Sequence, residues 1–289
     1  MTELKNKEWI DHPKNPLIEP SKFELIIADP TVLPPDKSKN GLWNLFAHSI
    51  FGIYHYKSRD GLTWSRGRLI KIFGIRPFIY SENEHYYLFY EKLKFIVPMT
   101  KILHSNLEVI VSQDLENWSK PKIVLQTKFA WQGRNIGNPC LVKFGKNKYR
   151  LYFASGIKWM EDCYFPEPKL MGYADSKNIL GPYETVEQPI GDIILRPVNR
   201  NYGFGLNWYK DELGRNRSRI LEMKSSDGIE WKTKRILLNP EGNSWRRTFV
   251  YMMGFATYKK EKRMYYNARD GWLFGRERIG LSIFNTRKK

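Results

Sequence analysis

The heptapeptide Ser-x-Asp-x-x-x-Trp occurs three times, as SRDGLTW (58–64), SQDLENW (112–118) and SSDGIEW (225–231). Asp and Gly make tight turns, and each turn follows a short run of β-branched or aromatic residues, so the motif marks a strand–turn junction. Each junction closes a longer unit: a Pro or Gly entry, an apolar strand, a polar turn, an aromatic strand, then the motif. The first unit runs from Ala28-Asp29-Pro30 to Trp64, and the second from Arg76-Pro77 through YYLFY (86–90) to Trp118. The third starts at Asn138-Pro139 and passes through YRLYF (149–153) to ADSKNILGPY (174–183). The fourth starts near Phe204, takes RILE (219–222) as an aromatic-strand equivalent and ends at Trp231. The fifth starts near Val250 and closes with Ile279–Phe284. No segment carries the i, i+3, i+4, i+7 apolar spacing of a long helix. A sheet of three or four strands cannot bury both its faces alone, and five units of about 58 residues solve this by packing radially. The repeats predict an all-β fold, a single-domain five-bladed β-propeller over 25–289 with a lead-in over 1–24. The last strand is expected to pair with early residues and remove an exposed edge. The motif's Trp is expected to fill gaps between blades, with no catalytic role.

Composition narrows the class of protein. Aromatic residues make up 15% and hydrophobic residues 42%, which excludes a disordered chain. No apolar run is long enough for a spanning helix, and MTELKNKEWIDHP lacks the apolar core of a secretory signal. Two cysteines, Cys140 and Cys163, cannot build a disulfide scaffold and are read as free thiols of a reducing, cytoplasmic protein with no membrane partner. With 48 Lys and Arg against 30 Asp and Glu, the net charge is +18. Such charge suits nucleic acid, anionic lipid or an anionic substrate. The basic residues are spread along the chain, and the only tight runs are at 259–263 and 287–289, so nucleic acid is not the expected partner. WD-type repeats are absent, which sets a pure protein-interaction propeller below an enzyme. Oligomeric state is left open.

The Ala28-Asp29-Pro30-Thr31-Val32 entry, the YYLFY and YRLYF strands and the Ser-x-Asp-x-x-x-Trp endings resemble the five-bladed glycosidases. The resemblance is to glycoside hydrolase family 43, with families 32, 68 and 130 as relatives. It implies a substrate pocket where the innermost strands begin. Asp29 matches the general base in that family's first-blade motif. The second-blade Asp is replaced by Arg76, and the third-blade Glu is absent from the matching stretch Ile136-Gly137-Asn138-Pro139, where Asn138 is a candidate substrate contact. The resemblance therefore implies a glycoside hydrolase with an incomplete carboxylate set. Family 130 implies the alternative of a phosphate-dependent phosphorylase, which needs one carboxylate. A non-catalytic binder of an anionic sugar is the third reading.

Glycosidic cleavage needs a proton donor opposite a base or nucleophile. The ends of second strands return to the same rim, which nominates His48, Glu91, Ser155, Glu222, Asn267 and Arg269. Glu91 ends an apolar aromatic strand, where desolvation favours a proton-holding acid. The plainer alternative is an ion pair. Arg76, Arg134, Arg247 and Arg269 are expected near the rim, as bidentate anion contacts or as partners of the carboxylates. His48 is expected in the pocket and His55 in the framework. An insertion with Trp159, Tyr164 and Phe165 is read as a loop above the channel that stacks on sugars or closes it as a lid, and Trp208, Trp245 and Trp272 are further stacking candidates. No His or Cys cluster predicts a metal site. No cofactor is expected, with a channel calcium or phosphate left open.

Overall fold

The computed structural model describes residues 9–96 and 101–285. The described chain forms twenty strands and two single-turn 3-10 helices. The strands fall into five antiparallel groups of four. Group 1 is β2 (Ala28–Leu33), β3 (Trp43–Ser49), β4 (Gly52–Ser58) and β5 (Ser65–Ile72). Group 2 is β6 (Gly74–Glu82), β7 (His85–Ile96), β8 (Leu103–Ser112) and β9 (Lys122–Leu125). Group 3 is β10 (Ile136–Gly145), β11 (Lys148–Met160), β12 (Phe165–Ser176) and β13 (Glu184–Thr185). Group 4 is β14 (Ile194–Pro197), β15 (Tyr202–Lys210), β16 (Asn216–Ser225) and β17 (Trp231–Leu238). Group 5 is β18 (Phe249–Tyr258), β19 (Glu261–Arg269), β20 (Glu277–Phe284) and, on its outer edge, β1 (Trp9–Asp11). Groups 4 and 5 are joined into one eight-stranded sheet by a single parallel bridge, Ser218 to Phe249.

In group 1, exposure rises from the first strand outward. Every residue of β2 is buried, whereas β5 is largely exposed or half-buried. Five hydrophobic cores lie between groups: 1 with 2, 2 with 3, 3 with 4, 4 with 5, and 5 with 1. One cavity of about 310 Å³ is lined by residues of all five first strands, among them Thr31, Phe78, Leu141, Arg196 and Met253.

The heptapeptide makes the same turn each time, between the third and fourth strands of its group. In the first, the Gly61 N–H donates to Ser58 Oγ, and the Leu62 and Thr63 N–H groups donate to Asp60 Oδ1. Ser112 and Asp114, and Ser225 and Asp227, repeat this pattern. Each Trp then meets an aromatic ring of the preceding group edge-on: Trp118 on Phe46, Trp231 on Tyr152, and Trp64 of group 1 on Tyr265 of group 5. Side-chain self-capping fixes the turn locally, and the Trp carries it into packing between groups.

One expectation is met and two change. The last strand, β20, pairs with early residues as expected, through β1, which buries Trp9 against Phe204, Phe255 and Phe284. The fourth unit begins at Ile194, so RILE lies on the third strand of its group rather than the second. The aromatic insertion is not a separate loop. It is the far end of the β11–β12 hairpin, with Lys158 opposite Glu167 and Met160 opposite Phe165.

Candidate active site

The candidate site is built by a β-bulge that recurs at the start of first strands. Register slips between Ala28 and Thr31 in β2, between Ile75 and Phe78 in β6, and between Gly137 and Cys140 in β10. The slipped pairs are Asp29-Pro30, Arg76-Pro77 and Asn138-Pro139. A bulge leaves its extra residues out of the ladder, so proline, which has no N–H to offer, fits there without losing a hydrogen bond. The residue before each proline takes a left-handed backbone, with φ of 50°, 51° and 51°. Non-glycine residues rarely hold that conformation, and bulges of this kind re-aim a side chain. The corresponding slip in β18 falls between Val250 and Met253, with Tyr251 inside it.

Asp29 and Arg76 are thereby turned into one buried network. The Asp29 N–H donates to Asn267 Oδ1 (3.1 Å), and Asn267 Nδ2 donates to Glu277 Oε2 (3.1 Å). Arg269 Nη1 reaches Glu277 Oε1 at 3.4 Å, and its guanidinium lies over the Phe165 ring. Arg76 Nη1 donates to Glu91 Oε2 (2.8 Å), and Nη2 to Glu167 Oε2 (3.2 Å). The Arg76 N–H donates to His48 Nδ1 (3.3 Å), which also lies 3.5 Å from Asp29 Oδ2. Asp29, Arg76, Glu167, Glu277, Arg269 and His48 each keep only 8–12% of their side chains exposed, so solvent reaches the network only through a narrow opening, and none of them lines the 310 Å³ cavity.

Burial sets the protonation of this network. It pushes Glu167 up to about 8, against the opposing pull of Arg76, with Asp29, Glu277 and Glu91 adding to the rise. Burial likewise raises Glu277 to about 7, against Arg269. It lowers His48 to about 4, an effect that Asp29 opposes and Arg76 reinforces. The ring is therefore neutral at neutral pH, and its Nδ1 accepts the Arg76 N–H. The approach to Asp29 is then a close contact and not an ion pair. Cys163, beside Arg269 and Glu167, is raised to about 12 by burial and stays a thiol.

The expected residues divide into two sets. Asp29, His48, Arg76, Glu91, Asn267 and Arg269 meet in the network. Asn138 holds the third bulge with its Oδ1 buried and lacking a protein partner. Glu91 needs a correction. Its side chain is 0% exposed, it is bonded to Arg76, and Gly137 covers it so closely that a Cβ there would overlap the carboxylate. It is paired with Arg76 and closed off from solvent, as the ion-pair alternative describes. Glu222 is outside the network, held by Arg235 at 2.6 Å on β16. Arg134 is exposed and faces His104, and Arg247 is exposed and donates to the Asp270 carbonyl. Ser155 is buried and donates to the Asn135 carbonyl (2.7 Å). His55 stacks on Phe46 within the framework. The Trp272 ring is covered by the guanidinium groups of Arg215 and Arg217, at 4.5 and 4.6 Å, which leaves it poorly placed to stack on a sugar.

Glu167 and Glu277 were not anticipated. Glu277 was legible in principle, because it sits directly across the sheet from Arg269. Glu167 is flanked by Pro166 and Pro168 in a stretch with no periodicity, and only the hairpin's length brings it over Arg76. Among the described residues, no group of three or more His, Cys, Asp or Glu is arranged to hold a metal ion.

No family model matches the sequence, and no curated protein matches it. Solved structures align along nearly all of it. One, from the GH130 family of mannoside phosphorylases, described as containing glycoside hydrolases that target β-1,2 mannosidic linkages in Candida mannan, aligns with TM-score 0.70 and 13% identity over 100% of this chain and 96% of its own. The β-1,2-mannobiose phosphorylase of Listeria innocua aligns with TM-score 0.62 and 12% identity over 95% of this chain and 96% of its own. A family 117 glycoside hydrolase of Zobellia galactanivorans aligns with TM-score 0.62 and 13% identity over 95% and 87%. The chain shares the fold of these propeller glycosidases, in keeping with the resemblance carried by its repeats.

Proposed function

We propose that the five groups are blades of a closed five-bladed propeller, and that the network at the start of its first strands cleaves a glycosidic bond. The observation that carries this reading is the convergence of Asp29, Glu167 and Glu277 with Arg76 and Arg269 at one narrow opening. Glu167, raised to about 8, keeps a proton at neutral pH. It donates that proton to the glycosidic oxygen as the bond from this oxygen to the anomeric carbon breaks. The Asp29 carboxylate takes a proton from a water whose oxygen attacks the same carbon. Arg76, anchored by Glu91, holds Glu167 in place. Arg269 does the same for Glu277, which lies near Asp29 through Asn267.

Hydrolysis is favoured over phosphorolysis because both arginines already bind carboxylates, which leaves little of either fork for a phosphate. The neighbours' substrates suggest where to begin. β-1,2-Mannobiose and a panel of aryl glycosides are incubated with and without inorganic phosphate, and the products are separated by chromatography. The expected result is free sugar without phosphate, with turnover lost in Asp29→Asn and Glu167→Gln and folding kept. Full turnover in Asp29→Asn on an established substrate would falsify the assignment. Sugar phosphate formed only when phosphate is added would replace hydrolysis with phosphorolysis.

A further inference from the structure

Large apolar side chains crowd the same end of the molecule as the opening. Ile50 and Phe51 form the turn just after His48, Ile72 and Phe73 precede Arg76, and Phe95 and Ile96 follow Glu91 on the extended β7. All six are exposed. They form one contiguous patch, because backbone hydrogen bonds tie the three segments together: Phe73 N–H to the Phe51 carbonyl (3.1 Å) and Leu93 N–H to the Phe73 carbonyl (3.2 Å). Phe73 is 58% exposed and sits at a tip with φ of 55°, a costly conformation for a bulky residue. A chain that needed only a soluble turn there would be better served by glycine or asparagine.

Lysines are interleaved with these side chains. Lys92 Nζ donates to the Ile72 carbonyl (2.9 Å) and lies over the Phe73 ring, and Lys71 lies over the Tyr90 ring. Lys94 is exposed between Leu93 and Phe95. Salt bridges elsewhere in the described chain engage other cations, and none involves these three lysines. Clustered exposed apolar side chains mark a docking surface. Its chemistry distinguishes two partners. Protein interfaces are depleted of lysine, whereas a lipid surface takes up apolar tips at the depth of the acyl boundary and meets ammonium groups with its phosphates.

We propose that this face docks on the surface of a bilayer containing anionic lipid, with Phe51 and Phe73 as the inserting tips and Lys71, Lys92 and Lys94 contacting lipid phosphates. The docking is peripheral, since no described helix is long and apolar enough to cross a membrane. It departs from the expectation of no membrane partner, which considered spanning segments alone. It goes beyond the glycosidase reading and stands whether or not that reading holds. Docking turns the opening beside Asp29 toward the lipid surface.

The test is flotation of the full chain with phosphatidylcholine vesicles made with and without phosphatidylglycerol. The wild type is expected to float with the phosphatidylglycerol vesicles and to stay behind with phosphatidylcholine alone. Phe51→Ser combined with Phe73→Ser should weaken flotation about tenfold or more, and Lys94→Glu severalfold, while Lys232→Glu on the outer strand β17 leaves it unchanged. Thermal melts check folding, and the single Lys94→Glu change at an exposed position carries the test if the double variant misfolds. The proposal is overturned if the wild type does not float with phosphatidylglycerol vesicles. It is equally overturned if the serine and Lys94 variants float as well as wild type, which would mean diffuse charge adsorption. Sedimentation showing a self-association that the serine variant abolishes, with no flotation of the wild type, would make the occupant a second copy of the chain.

Discussion

Arg76 and Arg196 each precede a proline on the first strand of a group, in the near-identical contexts Ile-Arg-Pro and Leu-Arg-Pro, yet their side chains meet opposite surroundings. Arg76 sits inside a bulge with φ of 51° and binds Glu91 and Glu167. Arg196 sits in regular ladder opposite Phe204. Its Nη1 donates to the Pro139 carbonyl (2.7 Å), and its Nε and Nη2 are buried without a protein partner. The nearby Cys140 is raised to about 12 by burial and cannot supply a counter-charge at neutral pH. The dipeptide therefore does not aim the guanidinium. Register does, because only the bulge turns the side chain from the sheet toward the opening.

The sharpest way to break this contrast is Arg76→Met. It leaves Glu91 buried with its charge unpaired, so unfolding in urea should show a loss of about 3–5 kcal/mol, and the proposed turnover should vanish. A variant as stable as wild type would mean that the pair with Glu91 is not structural.

Glu167→Gln probes the other end of the same guanidinium. Removal of a proton donor should lower turnover about 10²–10⁴-fold. The wild-type rate should fall on the alkaline side as pH passes about 8, where Glu167 loses its proton. Stability carries its own signature. The unfolded chain releases this proton near 4.5, whereas the folded chain holds it up to about 8. Across that window the folded state binds the extra proton, so this stabilising contribution is complete below about 4.5, declines as pH rises and is gone above about 8. Glu167→Gln should therefore gain on wild type as urea midpoints are compared from pH 5 to pH 8. Parallel curves would remove Glu167 as the group responsible.

Smaller effects refine the contrast. Gly137→Ala places a Cβ against the Glu91 carboxylate, and forcing that carboxylate off Arg76 should cost about 1–3 kcal/mol in a thermal or urea melt. Arg196→Met removes a buried cation that has no anion, so stability should change by about 1 kcal/mol or less, with a gain as readily as a loss. A loss as large as that of Arg76→Met would show that Arg196 has a partner of comparable strength, and the contrast would fail.

Much of the architecture was legible because its signals are local. The Ser-x-Asp turn is closed by its own side chains, and the aromatic runs YYLFY and YRLYF form strands from their own β preference. Asp29 was nominated by its resemblance to a first-blade family motif, and Arg76 by standing where that resemblance expects an Asp. The fourth unit was misplaced because β14 is only four residues long and carries no aromatic pattern, so the stronger β15 and β16 were read one position early. Glu91 was placed correctly, but its role as a free acid was not. An apolar strand around a carboxylate predicts burial without saying whether a guanidinium lies within reach.

The sequence by itself determined the strand rhythm, the turns and the aromatic packing between groups. These follow from backbone preference and side-chain period, which act over a few residues. Only the tertiary structure decided which carboxylates share the opening. Asp29, Glu91, Glu167 and Glu277 come from four separate stretches of chain, and the protonation of Glu167 and Glu277 depends on burial and on charges from distant parts of the chain. Desolvation and Coulomb forces act through space, so no local pattern could have assigned the proton to Glu167.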